Sequence, residues 1–253
     1  MSALLSAMAE AASAPGFPLL VLACALAGVV RGFSGFGTAL VFMPAATAVL
    51  PGAVALMALQ VFDTPGALSL VPKAWKDCDR KVVARLSAGF LLGVPAGVAL
   101  LASLDAAALR WLIGAMALAA AAALATGLRL PPGLPDWVAA PVGAASGVFA
   151  GVAGLAGVPV VLWQLARDEA PARMRATIIV FFMVGTALSC ATLALAGLAT
   201  LQALALGLLL LPPYMLAIQG GRLLFPLAPE AWFRRAAFGL ITASALLGLP
   251  LWD

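Results

Sequence analysis

Asp63 stands in the middle of an apolar run, Ala-Leu-Gln-Val-Phe-Asp-Thr-Pro-Gly, and Arg31 stands at a glycine-rich break earlier in the chain. Among long apolar segments these are the two groups whose chemistry is hardest to hide. A charged side chain at the centre of a bilayer costs about 2.5–3.5 kcal/mol on insertion scales, so such a carboxylate faces protein or water. Asp63 there serves as a proton carrier or as the counter-charge of a polar site, with a purely structural ion pair as the alternative. Arg31 offers a planar guanidinium that grips an anionic head group bidentately. Snorkelling to the interface, or pairing with Asp63, are its other uses. A pair of the two is itself useful, because an arriving anion could displace the carboxylate.

Around these two lie the groups that would complete a site. Ser34 and Thr38 offer hydroxyl donors to an anion. Gln60 precedes Asp63 by one helical step and shares its face. Gly32, Gly35, Gly151 and Gly154 allow backbone to approach closely. Pro65 removes a backbone donor two residues after Asp63 and predicts a local kink. Gln219 and Arg222 flank Gly220 and Gly221, with Arg222 read as an anchor near a span end. Gln164, after Trp163, reads as an interfacial residue without a special role. Trp75, Trp111, Trp137, Trp232 and Trp252 fall at span ends, as an interfacial belt requires.

Other chemistries are excluded by what the sequence lacks. It contains no histidine, which removes imidazole-based triads, zinc motifs built on histidine and haem ligation by it. Cys24, Cys78 and Cys190 form neither a disulfide framework nor a metal-ligand spacing. No phosphate-binding P-loop motif is present. We therefore expect no metal, no cofactor and no enzyme activity.

The 253 residues are 64% hydrophobic and 9% charged, whereas soluble domains are roughly 45–50% apolar and about 25% charged. A bilayer is the solvent that such a chain fits. Backbone groups in hydrocarbon must satisfy one another, and the long apolar runs select helices over a barrel. The net charge of +4 is confined to a few loops, which is a topology signal and not a nucleic-acid footprint. The first sixteen residues carry Glu10 and no Lys or Arg, so they read as an exposed or interfacial lead-in (1–16) and not as a secretory signal.

Ten apolar elements follow. The first five are Phe17–Arg31, Thr38–Leu50, Ala53–Val71, Val82–Ser103 and Ala106–Leu128. A Pro- and Gly-rich linker at 129–136 separates them from Trp137–Ala150, Val158–Ala166, Arg175–Gly197, Leu201–Phe225 and Trp232–Leu251. A crossing takes about 20 residues, so the first two elements of each half are too short and read as hairpins around glycine-rich breaks. The breaks repeat. Gly28, Gly32 and Gly35 recur as Gly147, Gly151 and Gly154, each 119 residues on, as Phe62 and Gly66 do in Phe181 and Gly185. Gly97 with Gly221 and Gly114 with Gly239 continue the pattern after a slight drift.

Loop charge gives the two halves opposite orientation. Lys73, Lys76, Arg80, Lys81 and Arg85 follow the third element, while the corresponding loop near 197–201 is uncharged. Arg167, Arg173 and Arg175 follow the seventh element, while its counterpart near 50–53 is uncharged. The positive-inside rule puts equivalent loops on opposite sides, with both termini outside. The expected fold is all-α and polytopic, with two inverted repeats (17–128 and 137–253) whose short elements form broken or re-entrant hairpins. Secondary transporters recurrently use that plan, with helix ends aimed at a solute near the midplane.

The motifs Arg-Gly-Phe-Ser-Gly-Phe-Gly (31–37) and Ala-Gly-Val-Ala-Gly-Leu-Ala-Gly (150–157) resemble the sulfite exporter TauE/SafE family. Pro44 and the run Leu-Leu-Gly-Val-Pro-Ala-Gly (91–97) extend the resemblance over nearly the whole chain. It implies transport of sulfite, organosulfonates or similar small anions, driven by a proton gradient or membrane potential. The second break departs from the family's denser Gly-Gly run with Leu-Ala-Gly-Val-Pro. The expectation is thus a secondary anion transporter of the bacterial inner membrane that works by alternating access. Its partners are a small anion and lipid, with no nucleic acid; a gated anion channel, a non-transporting membrane subunit and homo-oligomerisation stay open.

Overall fold

A computed structural model describes residues 2–34, 37–68, 70–126, 131, 134–167, 169–224 and 230–251, with only the backbone described at 2, 33, 34, 124, 224 and 230–237. Gly35, Trp252 and half of the 129–136 linker (129, 130, 132 and 133) lie outside the described residues. Every regular element among them is helical. In chain order these are α1 Ser2–Ser13, α2 Phe17–Ser34, α3 Thr38–Thr47, α4 Gly52–Leu68, α5 Val71–Asp77, α6 Arg80–Ser103, α7 Ala106–Ala125, α8 Ala139–Ala153, α9 Gly157–Gln164, α10 Pro171–Leu195, α11 Leu201–Leu224 and α12 Glu230–Gly248. All ten expected elements are present; the sequence reading missed α1, the seven-residue α5 and a 3-10 turn at Asp136–Val138. By length and composition five helices can cross a membrane, or up to seven if each bent pair counts as one span.

Three of the helices start where a side chain satisfies orphan N–H groups of the first turn. Asp79 accepts from the amides of Lys81 and Val82 before α6. Asp105 does so for Ala108 before α7, and Thr200 for Ala203 before α11. Proline does not prevent helix here: Pro44, Pro65, Pro95, Pro212 and Pro213 all lie inside helices. α4 continues as helix past Pro65 and ends at Leu68.

Two compact units partition the chain: Met1–Asp63, Leu104–Ala125 and Gly197–Asp253 form the first, and Thr64–Ser103 with Thr126–Ala196 the second. Each unit therefore takes elements from both halves of the sequence.

The second unit is built on a seam between α6 and α8. Gly89, Gly93 and Gly97 recur every fourth residue on α6, and Gly143, Gly147 and Gly151 do so on α8. A methyl group at Gly89 or Gly93 would collide with the carbonyl of Ala140 or Ala144, and one at Gly143 with that of Leu86. Backbone thus meets backbone, the close approach by which helices associate where lipid leaves little hydrophobic drive. Phe90 of α6 then reaches Phe181 of α10 edge-on, at 5.7 Å and 84° between planes. Ala74 and Cys78 of α5 and its exit pack with Val83, Ala176 and Val180.

The first unit repeats this plan with α2 and α11. Gly28 lies against the Tyr214 carbonyl and Ala217, and Gly32 against the Ile218 carbonyl and Gly221. All ten residues of α3 are buried. Gly248 of α12 abuts the Pro44 carbonyl, and Ser244 donates to the Val41 carbonyl. Arg110 of α7 closes the far end of α12 by donating to the carbonyls of Gly248 (2.8 Å) and Leu249 (3.2 Å), as cations near helix C-termini do.

The seams correspond residue for residue. Shifting by 119 residues on one side and 124 on the other carries Gly32 against Ile218, Gly221 and Arg222 onto Gly151 against Val94, Gly97 and Val98. Gly28 against Tyr214 likewise becomes Gly147 against Phe90. The thiol of Cys24, which donates to the Leu210 carbonyl (3.4 Å), is matched by Gly143 against the Leu86 carbonyl. The two seams thus share one contact pattern.

Both short hairpins close on themselves. At ~1.5 Å per residue, α3 with 10 residues and α9 with 8 fall far short of the ~30 Å of hydrocarbon. Gly154, in the left-handed region at φ 69°, turns the chain between α8 and α9. Arg167, after α9, then pairs with Asp136, before α8, at 2.9 Å. In the first unit Gly16, before α2, lies against Val49, after α3.

The seams make a paired prediction. Gly93→Val should overpack α6 against α8 and lower stability by about 1–3 kcal/mol. Gly220→Ala, where nothing lies within 4 Å of the added methyl, should be neutral or raise stability by up to ~1 kcal/mol through helix propensity. Thermal unfolding of both variants in detergent checks the contrast.

Candidate functional site

Four side chains from four helices of the first unit converge. Arg31 comes from the last turn of α2, Thr38 from the start of α3, Asp63 from α4 and Tyr214 from α11. The guanidinium NH1 of Arg31 lies 3.1 Å from Asp63 Oδ2, with the two side chains 18% and 24% exposed. Asp63 Oδ1 accepts from Thr38 Oγ1 at 3.1 Å and from the Tyr214 hydroxyl. The two hydroxyls are themselves 2.7 Å apart. Both carboxylate oxygens are thereby engaged. Thr38 is 3% exposed and Tyr214 wholly buried.

The fold explains each placement. The α2–α11 seam sets the Tyr214 backbone against Gly28, so its side chain emerges one turn away from Arg31. Gly37, left-handed at φ 98°, lets the chain turn into α3 with Thr38 as its first residue. Phe62, wholly buried, fixes the Asp63 turn between two rings: Phe42 at 4.9 Å and Tyr214 at 4.8 Å. An apolar wall therefore backs the polar cluster on one side.

Of the residues singled out from sequence, Arg31, Thr38 and Asp63 come together. Gln60 lies one turn before Asp63 on α4 and is half-buried. Ser34 ends α2, with only its backbone described, and Gly35 lies outside the described residues. Gly32 serves a close approach to a neighbouring helix, α11, and Gly151 does the same for α6 in the second unit. Gly154 ends α8 there. Gln164 differs from its reading as an interfacial residue: it is fully buried, and neither amide atom has a hydrogen-bond partner. Trp75, Trp111 and Trp137 are exposed, as a belt at span ends requires.

Tyr214 escaped the sequence reading. A signal existed, since it is the sole tyrosine of the chain and sits mid-helix among leucines, where a hydroxyl needs a partner.

The second unit holds the same scaffold without the charges. Arg31, Thr38, Asp63 and Tyr214 correspond there to Ala150, Gly157, Phe182 and Phe90. The Tyr214–Phe62 contact becomes Phe90–Phe181, and a methyl on Gly157 would touch the Phe182 ring at 3.3 Å, where Thr38 meets Asp63. One copy is ionic and the other is dry. Among the described residues no group of His, Cys, Asp and Glu is placed to hold a metal ion.

A family model described as sulfite exporter TauE/SafE matches residues 20–247. No curated protein and no solved structure matches.

Removing one member of the ion pair should cost more than removing both. Arg31→Met leaves the Asp63 carboxylate without its cation and should destabilise the protein by up to about 3 kcal/mol, whereas Arg31→Met with Asp63→Leu should recover most of that loss. Melting midpoints of the two singles and the double decide it; a double variant as unstable as the sum of the singles would mean the groups are uncoupled.

Proposed function

The chain belongs to the sulfite exporter TauE/SafE family, a family of multi-pass membrane transporters, and on that premise we propose that it is a secondary transporter of a small anion of the sulfite or organosulfonate class. The observation that carries the reading is the contrast between the two copies of one scaffold. The Ala150, Gly157, Phe182 and Phe90 set packs the second unit without any charge, so the architecture does not need an ion pair to stand. A partly buried ion pair is often no more stable than well-packed apolar residues in its place. Arg31, Thr38, Asp63 and Tyr214 are therefore retained for what they bind.

Arg31 is the anion's contact. Its charge is held in the resting state by Asp63 Oδ2, and an anion competes for it. Displaced from Arg31, the Asp63 carboxylate is balanced by a proton, which ties anion movement to the proton gradient. Thr38 and Gln60 complete the proposed solute site in the first unit with hydroxyl and amide groups. No step of this cycle makes or breaks a bond other than O–H, so the protein acts as a carrier and not as an enzyme.

The two halves are proposed to run in opposite directions through the bilayer and to alternate access to the site, as inverted repeats with broken helices do. The ion pairs of the second unit support the sidedness. Asp136 binds both Arg85 and Arg167 at 2.9 Å, and Arg173 lies 3.7 Å from Asp79. The basic loops that the positive-inside rule assigns to the cytoplasm thus share one end of that unit. Both termini then lie outside, in a bacterial inner membrane.

Two measurements test the reading. Proteoliposomes containing only this chain should show saturable sulfite uptake and counterflow; a linear, non-saturating flux would make it a channel, and no flux would remove transport. The swap Arg31→Ala, Thr38→Gly, Asp63→Phe and Tyr214→Phe, which writes the second unit's residues into the first, should keep or raise the melting midpoint and abolish uptake. Separately, Asp63→Asn should leave any remaining uptake independent of pH, and pH dependence equal to wild type would take Asp63 out of the mechanism.

A further inference from the structure

Asp63 Oδ1, Thr38 Oγ1 and Tyr214 Oη form a triangle in which every edge is a hydrogen bond. Thr38 reaches Asp63 at 3.1 Å and Tyr214 at 2.7 Å, and Tyr214 reaches Asp63. Each edge requires one hydrogen between its two oxygens. Threonine and tyrosine bring one each, and an ionised carboxylate brings none. If both hydroxyls donate to Asp63, the 2.7 Å edge presses two oxygens together with nothing between them. Two donors to a single oxygen have no need to stand so close.

We propose that a proton carried on Asp63 closes this ring, and that Thr38 and Tyr214 are the positioning residues of the seat for the transported proton. The proposal rests on the transporter reading above and adds its coupling ratio. With the proton in place, Asp63 no longer neutralises Arg31, and a singly charged anion balances the guanidinium instead. When the anion and the proton leave, Asp63 is a carboxylate again and neutralises Arg31. Both states of the site sum to zero charge. One proton therefore accompanies each singly charged anion; it is taken from water on the loading side and returned to water on the other.

Among the described residues, the groups facing Asp63 offer no second carboxyl. Arg31 comes from α2, Thr38 from α3 and Tyr214 from α11, while the Cys24 thiol of α2 is committed to the Leu210 carbonyl. Gln60, one turn away on α4, does not titrate. At the corresponding positions of the second unit, Ala150, Gly157, Phe182 and Phe90 offer neither a charge nor a side-chain oxygen, which sets one seat per chain.

Tyr214→Phe and Thr38→Val each delete one hydroxyl and spare Arg31 and the carboxyl. Phenylalanine already fills the matching place in the second unit, so the first variant is expected to fold. Infrared difference spectra of the purified full-length protein, taken across acid and neutral pH, should show a protonated-carboxyl C=O band that Asp63→Asn lacks and both hydroxyl variants displace. In proteoliposomes with an internal pH dye, protons moved per sulfite should fall by about two- to tenfold in Tyr214→Phe, the scale of one lost hydrogen bond between uncharged groups. Absence of an Asp63 carboxyl band, or a hydroxyl variant that keeps the wild-type proton-to-sulfite ratio, would overturn the seat. Wild type that carries no sulfite would instead overturn the transporter reading, while the infrared band still reports on the seat.

Discussion

Backbone touching backbone is the constraint on which the rest of this structure depends. In hydrocarbon the usual drive to bury apolar side chains is absent, so two helices stay together by coming close enough for dispersion to act along their length. The α6–α8 and α2–α11 seams meet that condition with glycine at the contact positions. Everything finer hangs from these two lines. The second seam fixes the height at which Tyr214 leaves α11 and Arg31 leaves α2, and those two side chains then hold Asp63 from opposite oxygens.

The charged cluster is affordable because the seams need none of it. Thr38, Tyr214 and Arg31 together engage both carboxylate oxygens of Asp63. Phe42 and Phe62 line the adjoining wall and keep that polar set compact. In the second unit the same geometry closes over with aromatic rings. The pair of units is thus an internal comparison of one scaffold with and without a polar centre.

Much of this was legible in the sequence, for identifiable reasons. Long apolar runs broken by glycine and flanked by caps such as Asp79, Asp105 and Thr200 leave little choice of helix ends, and ten elements lie where the runs put them. Asp63 and Arg31 were legible because charges in such runs are costly. Gly32 and Gly151 were read for a close approach to solute, and the structure uses their missing side chains for a neighbouring helix; spacing alone does not say which partner approaches. Tyr214 was lost among the leucines of α11 because its role lies in a hydroxyl whose partners are 151 and 176 residues away. The short α5 was lost because seven residues are too few to carry a helical period, and the burial of Gln164 because a tryptophan neighbour reads equally as an interface or a core.

The exchange of elements between the halves bears on how the protein is made. The second unit contains nothing beyond Ala196, so it can pack once α10 has been synthesised. The first unit begins earlier in the chain yet cannot close until α11 arrives to pair with α2. Throughout that interval Arg31 and Asp63 are already made, while Tyr214 and the seam that positions it are not. The N-terminal helices must wait in the bilayer, with glycine faces uncovered, for the last part of the chain. Order of synthesis thus lets the second unit pack first, the charged centre follow with α11, and the contacts of α12 with α3 and α7 come last.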